Sequence, residues 1–323
     1  MPSPNSTFTE LVSTTFRNHS KEIKNNVTNN NALYARLIGK ERFELEDGGL
    51  TLVEPLDYNE NSTYQRYSGY DRLDISPSDV ISAAEFAWRQ IAIHVVASGN
   101  ELRVNSGRNA MIKLVKARVT NAIRTFRNNF SSDLYSDGSL SNQINGLQAL
   151  VSDLGTGTVG GIDSGTYTWW KSTLQSAAAP LQGGGAITPG ATTMISLMNP
   201  LWLALVRGED KPDLIVADNN YFSFYEQQLN AIQRYTSSDE GKGGFVSLKY
   251  KTADVIFDGG SGIPSNHMYF LNTDYIKIKA HRDADFTELP EARPINQDAV
   301  VMPFIWMGNL TISNRKRQGL IKA

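Results

Sequence analysis

The segment GRNAMIKLVKARVTNAIRTFRNNFSSDLY, from Gly107 to Tyr135, has the most regular periodicity in the chain. Met111, Leu114, Val115, Val119, Ile123, Phe126, Phe130 and Leu134 recur at three- and four-residue spacing, which predicts a single amphipathic helix. At a rise of ~1.5 Å per residue it would run roughly 40 Å, more than most compact enzymes of this size need. Its other faces carry Arg108, Lys113, Lys116, Arg118, Arg124 and Arg127, with no acidic residue before Asp133. Such a face is either simply solvated or, with Lys113, Lys116, Arg124 and Arg127 as its core, lines a cavity filled with polyanion.

Upstream of this helix the pattern is extended. Leu50 to Leu56 forms a short apolar run, a polar stretch rich in Tyr, Asn and Ser follows, and Ala83 to Ala97 is near-alternating. The expected structure is a long two-stranded hairpin with an irregular tip, and the tip carries Tyr58, Tyr64, Tyr67 and Tyr70. Two isolated strands are marginal in water, so this hairpin needs a neighbour to cover it. Residues 1–40 are rich in Asn, Ser and Thr, with thinly spaced apolar residues. Such an arm has too little apolar surface to pack alone and is expected to order against something else.

Downstream, Asp137 to Gly190 is rich in Gly, Ser and Thr and holds Trp169 and Trp170. A helix is expected from Thr192 to Arg207, a buried strand at Asp213 to Ala217 and another helix at Tyr221 to Gln233. Strands are expected at Phe245 to Tyr250, Asp254 to Phe257, Met268 to Leu271, Tyr275 to Lys279, Ala299 to Phe304 and Leu310 to Ile312. Helices and strands are segregated by region, so the class is α+β. The chain divides into an arm (1–40), the hairpin with the first strands (41–100), the long helix (101–136), an α/β unit (137–260) and a closing set of strands (261–323).

Composition narrows the function classes. The chain has 323 residues, 40% of them hydrophobic, enough to bury a core without covalent staples. The absence of cysteine removes disulfides, thiolate metal sites and thiol nucleophiles together, and fits synthesis in a reducing cytoplasm. No apolar run reaches the ~18 residues a membrane span requires, and the start lacks the pattern of a signal peptide, so no membrane partner is expected. Lys plus Arg number 31 against 33 Asp plus Glu, a balance that predicts only weak, non-specific contact with nucleic acid.

Catalytic and cofactor motifs give no positive signal. Gly155-Thr-Gly157-Thr-Val-Gly160 matches the dinucleotide-binding glycine pattern, but Gly161-Ile-Asp-Ser-Gly165 follows where a helix should open, and Ser172 to Pro180 lacks the acidic residue that would hold a ribose. A surface loop is the better account. His19, His94, His267 and His281 form no pair at helical ligand spacing, and no phosphate-binding loop or nucleophile elbow occurs. No catalytic residue, cofactor or metal is therefore expected.

Local sequence carries a resemblance that covers nearly the whole chain. Gly49-Leu-Thr-Leu-Val-Glu-Pro-Leu56 with Asn61-Ser-Thr63 and Tyr67-Ser-Gly-Tyr70, then Ala83-Ala-Glu-Phe86, resembles the extended-loop region of a group of tailed-bacteriophage major capsid proteins. Pro212-Asp-Leu-Ile-Val216, His267-Met-Tyr-Phe-Leu-Asn272 and Trp306-Met-Gly-Asn-Leu310 with Ser313-Asn-Arg-Lys-Arg317 resemble later segments of the same group. The order of parts is similar to the Hong Kong 97 phage capsid fold, with its N-arm, E-loop, spine helix, A-domain and P-domain.

The resemblance implies a structural subunit that assembles with itself as hexamers and pentamers into an icosahedral shell around double-stranded DNA, in the virion capsid. Its E-loop would lie on the adjacent subunit, with the tip tyrosines at the contact. Scaffold and portal proteins would be partners, and a decoration protein is a further candidate. As the arm begins close to Met1, the resemblance implies either a separate scaffold protein or a scaffolding region already removed ahead of this sequence. The rivals are the shell of a cellular nanocompartment with the same fold and an α+β enzyme using a dispersed carboxylate pair.

Overall fold

The computed structural model describes residues 31–104, 108–230, 247–258 and 262–323. Helix α1 (Ala32–Gly39) and strand β1 (Phe43–Glu46) precede the hairpin strands β2 (Leu52–Asp57) and β3 (Ile81–Phe86). Strand β4 (Arg89–Ser98), a short helix α2 (Gly99–Val104) and the long helix α3 (Arg108–Asp133) follow. Next come α4 (Leu147–Leu150), the ribbon strands β5 (Thr158–Val159) and β6 (Ile162–Asp163), β7 (Thr173–Ser176), α5 (Met194–Leu205), β8 (Leu214–Ala217) and α6 (Asn219–Asn230). The chain closes with β9 (Ser247–Tyr250), β10 (Ala253–Phe257), β11 (His267–Leu271), β12 (Ile276–His281), β13 (Thr287–Glu288), β14 (Ala299–Ile312) and β15 (Gly319–Lys322).

Two sheets organise these elements. In the first, β14 is central, with β12 and β13 along one side, β1 beyond β12, and β4 along the other side over a ten-residue antiparallel register. The even-numbered residues Met302, Phe304 and Trp306 of β14 are buried, and α3 packs there through Val119, Phe126 and Phe130. Phe130 meets Trp306 edge to face at 5.1 Å between ring centroids. The described part of the apolar stripe, from Val119 to Leu134, therefore packs against the strand surface, and burial of this face supplies most of what holds the helix in place.

The second sheet has the order β7-β15-β11-β8-β10-β9. Its centre, Leu214-Ile-Val-Ala217, is buried at every residue because each face has its own core. Leu214 and Val216 join the core built around α3, while Ile215 and Ala217 join the core under α5 and α6. The α+β class holds, and among the described residues no helix is long and apolar enough to cross a membrane.

Several boundaries differ from the sequence reading. The arm was placed at residues 1–40, but Ala32–Gly39 is a helix that orders on its own subunit: Leu33, Tyr34 and Leu37 are buried, and Tyr34 packs edge-on against Phe130. Asn31 starts it, accepting a hydrogen bond from Tyr34 N at 2.8 Å while its amide donates to Ser131 O. Residues 1–30 lie outside the described residues. The near-alternating run Ala83 to Ala97 is two strands in two different sheets, separated at Ala87-Trp88. The two closing strands expected at 299–304 and 310–312 are one strand of 14 residues. Gly308 sits inside it because an added Cβ would lie 2.4 Å from Lys279 O, so only glycine allows β12 to approach.

Candidate assembly interface

The hairpin has a root packed on its own subunit and a tip that is largely exposed. In β2, Leu52, Glu54 and Leu56 point inward, while Val53, Pro55 and Asp57 point to solvent, and β3 buries Ala84 and Phe86 on the same side. Gly160 lies against this face: its carbonyl accepts Glu85 N at 2.9 Å, and a side chain there would meet the Ala84 Cβ at 2.8 Å. Its φ of +60° is left-handed, a second reason for glycine.

A buried ion pair fixes the root to the first sheet. The Glu54 carboxylate lies 3.0 Å from Lys279 Nζ and accepts the Thr311 hydroxyl at 2.9 Å. The same ammonium reaches Glu46 at 3.1 Å and donates to Val53 O at 3.2 Å. Burial alone would lower the pKa of Lys279. The hydrogen bonds and charges of Glu54 and Glu46 outweigh it and hold the pKa above its ordinary value. Sequence reasoning missed this cluster, although one signal was present: a carboxylate at 54 shares the inward face with leucines at 52 and 56.

Beyond the root, the tip forms no strand. Residues 59–80 are held by local hydrogen bonds, such as Asn61 Oδ1 to Thr63 N at 3.0 Å and Asp71 Oδ2 to Ser68 N at 2.8 Å. The four tip tyrosines separate into two groups. Tyr58 stacks on Trp169 of its own subunit with centroids 5.0 Å apart, whereas Tyr64, Tyr67 and Tyr70 are 82%, 66% and 107% exposed. Leu73, Ile75 and Ile81 are exposed beside them. The tip thus presents several large aromatic and aliphatic side chains to solvent on one projection.

The first sheet also has surface to spare. The odd-numbered face of β14 is covered by the hairpin root at Asn309 and Thr311, but Val301, Ile305 and Met307 are only half-buried. Ala92, His94 and Val96 of β4 are exposed alongside, so His94 faces outward.

The basic face of α3 is described only in part. Arg124 is exposed with a long contact to Asn121 Oδ1 at 3.4 Å, and Arg118 is paired with Glu101 of α2. The side chains of Lys113, Lys116 and Arg127 lie outside the described ones. Gly155, Gly157 and Gly160 run into the β5–β6 ribbon and open no helix there, but the segment is more than a surface loop: Gly155 is buried and Gly160 packs against Ala84. Among the described residues no group of three metal-ligating side chains converges.

No family model and no curated protein sequence matches the chain. Solved structures do. The chain superposes on the capsid subunit of cyanophage A-1(L) with a TM-score of 0.65 at 18% identity, over 87% of this chain and 90% of that one. The capsid subunit of an empty GTA particle gives a TM-score of 0.53 at 11% identity, covering 88% of each chain. The SrpI encapsulin complex of Synechococcus elongatus PCC 7942 gives 0.52 at 9% identity, over 89% of this chain and 86% of that one. The chain has the fold of phage major capsid proteins, the Hong Kong 97 capsid fold, with the hairpin as its E-loop and α3 as its spine helix.

Proposed function

We propose that the chain is the major capsid subunit of a tailed bacteriophage. Many copies assemble as hexamers and pentamers into an icosahedral head enclosing double-stranded DNA. The protein is a structural component of the virion capsid, made in the host cytoplasm, and not an enzyme. The observation that carries this reading is the hairpin: its root is fixed by a buried ion pair, while its tip exposes three tyrosines that no surface among the described residues covers. On a fold shared with shell-forming proteins, a second copy is the natural cover. Repetition of that modest contact around a closed symmetric shell makes the whole stable. Scaffold and portal proteins direct the assembly, a decoration protein is a further partner, and Arg124 on α3 faces the packaged DNA.

A second reading is the shell of a cellular nanocompartment, favoured by the likeness to an encapsulin. Cargo separates the two. Particles purified from an expressing phage-infected culture, treated with nuclease outside and then opened, should release double-stranded DNA. Release of a protein cargo and no DNA would establish the compartment. A chain that stays at the 35.7 kDa of one copy by light scattering, with and without co-expressed scaffold candidates, would overturn both.

A further inference from the structure

Beside the hairpin root, the end of β2, the turn Thr168–Trp170 and the turn Arg315–Arg317 line an open cavity of about 200 Å³, against the ~10–15 Å³ that one water needs. Its walls carry three cations, Arg207, Lys316 and Arg317, and one carboxylate, Asp57. Arg317 is only 9% exposed, and its guanidinium donates to the neutral carbonyl of Leu205 at 3.1 Å. Among the described residues, Lys316 and Arg317 take part in no ion pair. Arg207 has Glu60 at 3.8 Å, with both side chains largely in solvent. Tyr58, stacked on Trp169, forms an aromatic wall.

Arg317 is the desolvated charge here, and among the described residues no ion pair neutralises it, while Arg207 and Lys316 stand exposed at the mouth; against Asp57 and Glu60, the three cations leave a positive excess that a bound anion would balance. Guanidinium and ammonium groups together offer forked and point donors suited to a phosphate or carboxylate. We infer that this cavity is an oxyanion site, and that the bound anion ties the hairpin root to the second sheet. The wall residues come from β2, from the turn after α5 and from the turn before β15, so an anion bridging them fixes the angle at which the hairpin leaves the body. Two sources share this chemistry. One is free inorganic phosphate. The other is a carboxylate from the tip of a second copy, where Glu60, Asp71, Asp74 and Asp79 outnumber Arg66 and Arg72.

The test is titration of inorganic phosphate into the unassembled full chain, and separately into particles, at constant ionic strength set with chloride. Tryptophan emission serves as the readout, since Trp169 and Trp170 line the cavity. The expected result for the unassembled chain is a saturable change that chloride does not produce. The variant Arg207→Gln/Lys316→Gln, whose exposed side chains can change without disturbing the fold, should weaken it about tenfold or more. Arg293→Gln, a charge change on the exposed segment before β14, should bind like the parent. Saturable binding to the free chain but not to particles identifies a neighbour's carboxylate as the occupant within the shell, and binding to both identifies phosphate. A phosphate response no different from that of chloride, or an unweakened double variant, overturns the assignment. Neither failure would bear on whether shells form.

Discussion

Glu54→Ala is the perturbation that tests the hairpin root most sharply. It removes the acceptor of the Thr311 hydroxyl and the nearest counter-charge of Lys279, both buried. Removing one partner of a buried ion pair costs ~3–5 kcal/mol. Lys279 keeps Glu46 at 3.1 Å, and that carboxylate is partly solvated, so the low end applies, about 3 kcal/mol. With an unfolding entropy of ~2.1 cal/mol/K per residue over 323 residues, each kcal/mol moves Tm by about 1.5 °C. The expected drop is therefore about 4–5 °C, read by circular dichroism on the unassembled subunit.

The pH dependence has a definite sign. Lys279 has a pKa above its ordinary value, so its contribution is complete below the unfolded lysine pKa and is lost as pH rises through the higher folded value. The gap between parent and Glu54→Ala should hold steady from about pH 7 to about pH 9 and narrow only in strongly alkaline solution. The pair variant Glu54→Leu/Lys279→Met, apolar at both places, should recover most of the loss. A Glu54→Ala subunit melting within ~1 °C of the parent would refute the claim that this pair anchors the hairpin.

Replacing Tyr64, Tyr67 and Tyr70 together with Ser should leave the subunit Tm unchanged, because all three are exposed. If each contributes ~1–2 kcal/mol to the contact with a neighbour, the concentration at which shells form should rise more than ~100-fold, measured by light scattering. Gly160→Ala forces a side chain into a left-handed backbone 2.8 Å from Ala84, so it should cost about 2–4 kcal/mol and speed proteolysis within residues 59–80. Arg124→Gln with Arg127→Gln should leave empty shells intact and lower the DNA retained per particle. Unchanged retention would make that helix face a merely solvated one.

What the sequence revealed depended on how local the determinants were. The long helix was legible because eight apolar residues between Met111 and Leu134 keep one face over several turns, and no breaker interrupts them. The hairpin was legible as a pattern, but its break at Ala87-Trp88 was not, because that break is set by distant partners: Asn309 donates to Ala87 O, and Trp88 donates to Gly49 O. Strand β14 looked like two because Gly308 and Asn309 resemble a turn, whereas Gly308 makes room for Lys279 O and buried Asn309 is hydrogen-bonded to Asn145 N. Helix α1 was hidden in an Asn-rich context whose cap, Asn31, gains meaning only beside Ser131 and Tyr34. The tip tyrosines could be named from sequence but not sorted, since Tyr58 differs from the others only through Trp169, far along the chain.

The proposed assembly requires that the hairpin tip finish its burial on a second copy of the same chain. Electron cryomicroscopy of the purified protein, alone and co-expressed with scaffold candidates, tests it most directly. The expected result is closed shells or hexamer and pentamer rings in which density for residues 59–80 lies against the adjacent subunit, with Tyr64, Tyr67 and Tyr70 covered. Single subunits under every condition, or shells in which that tip projects into solvent, would contradict it.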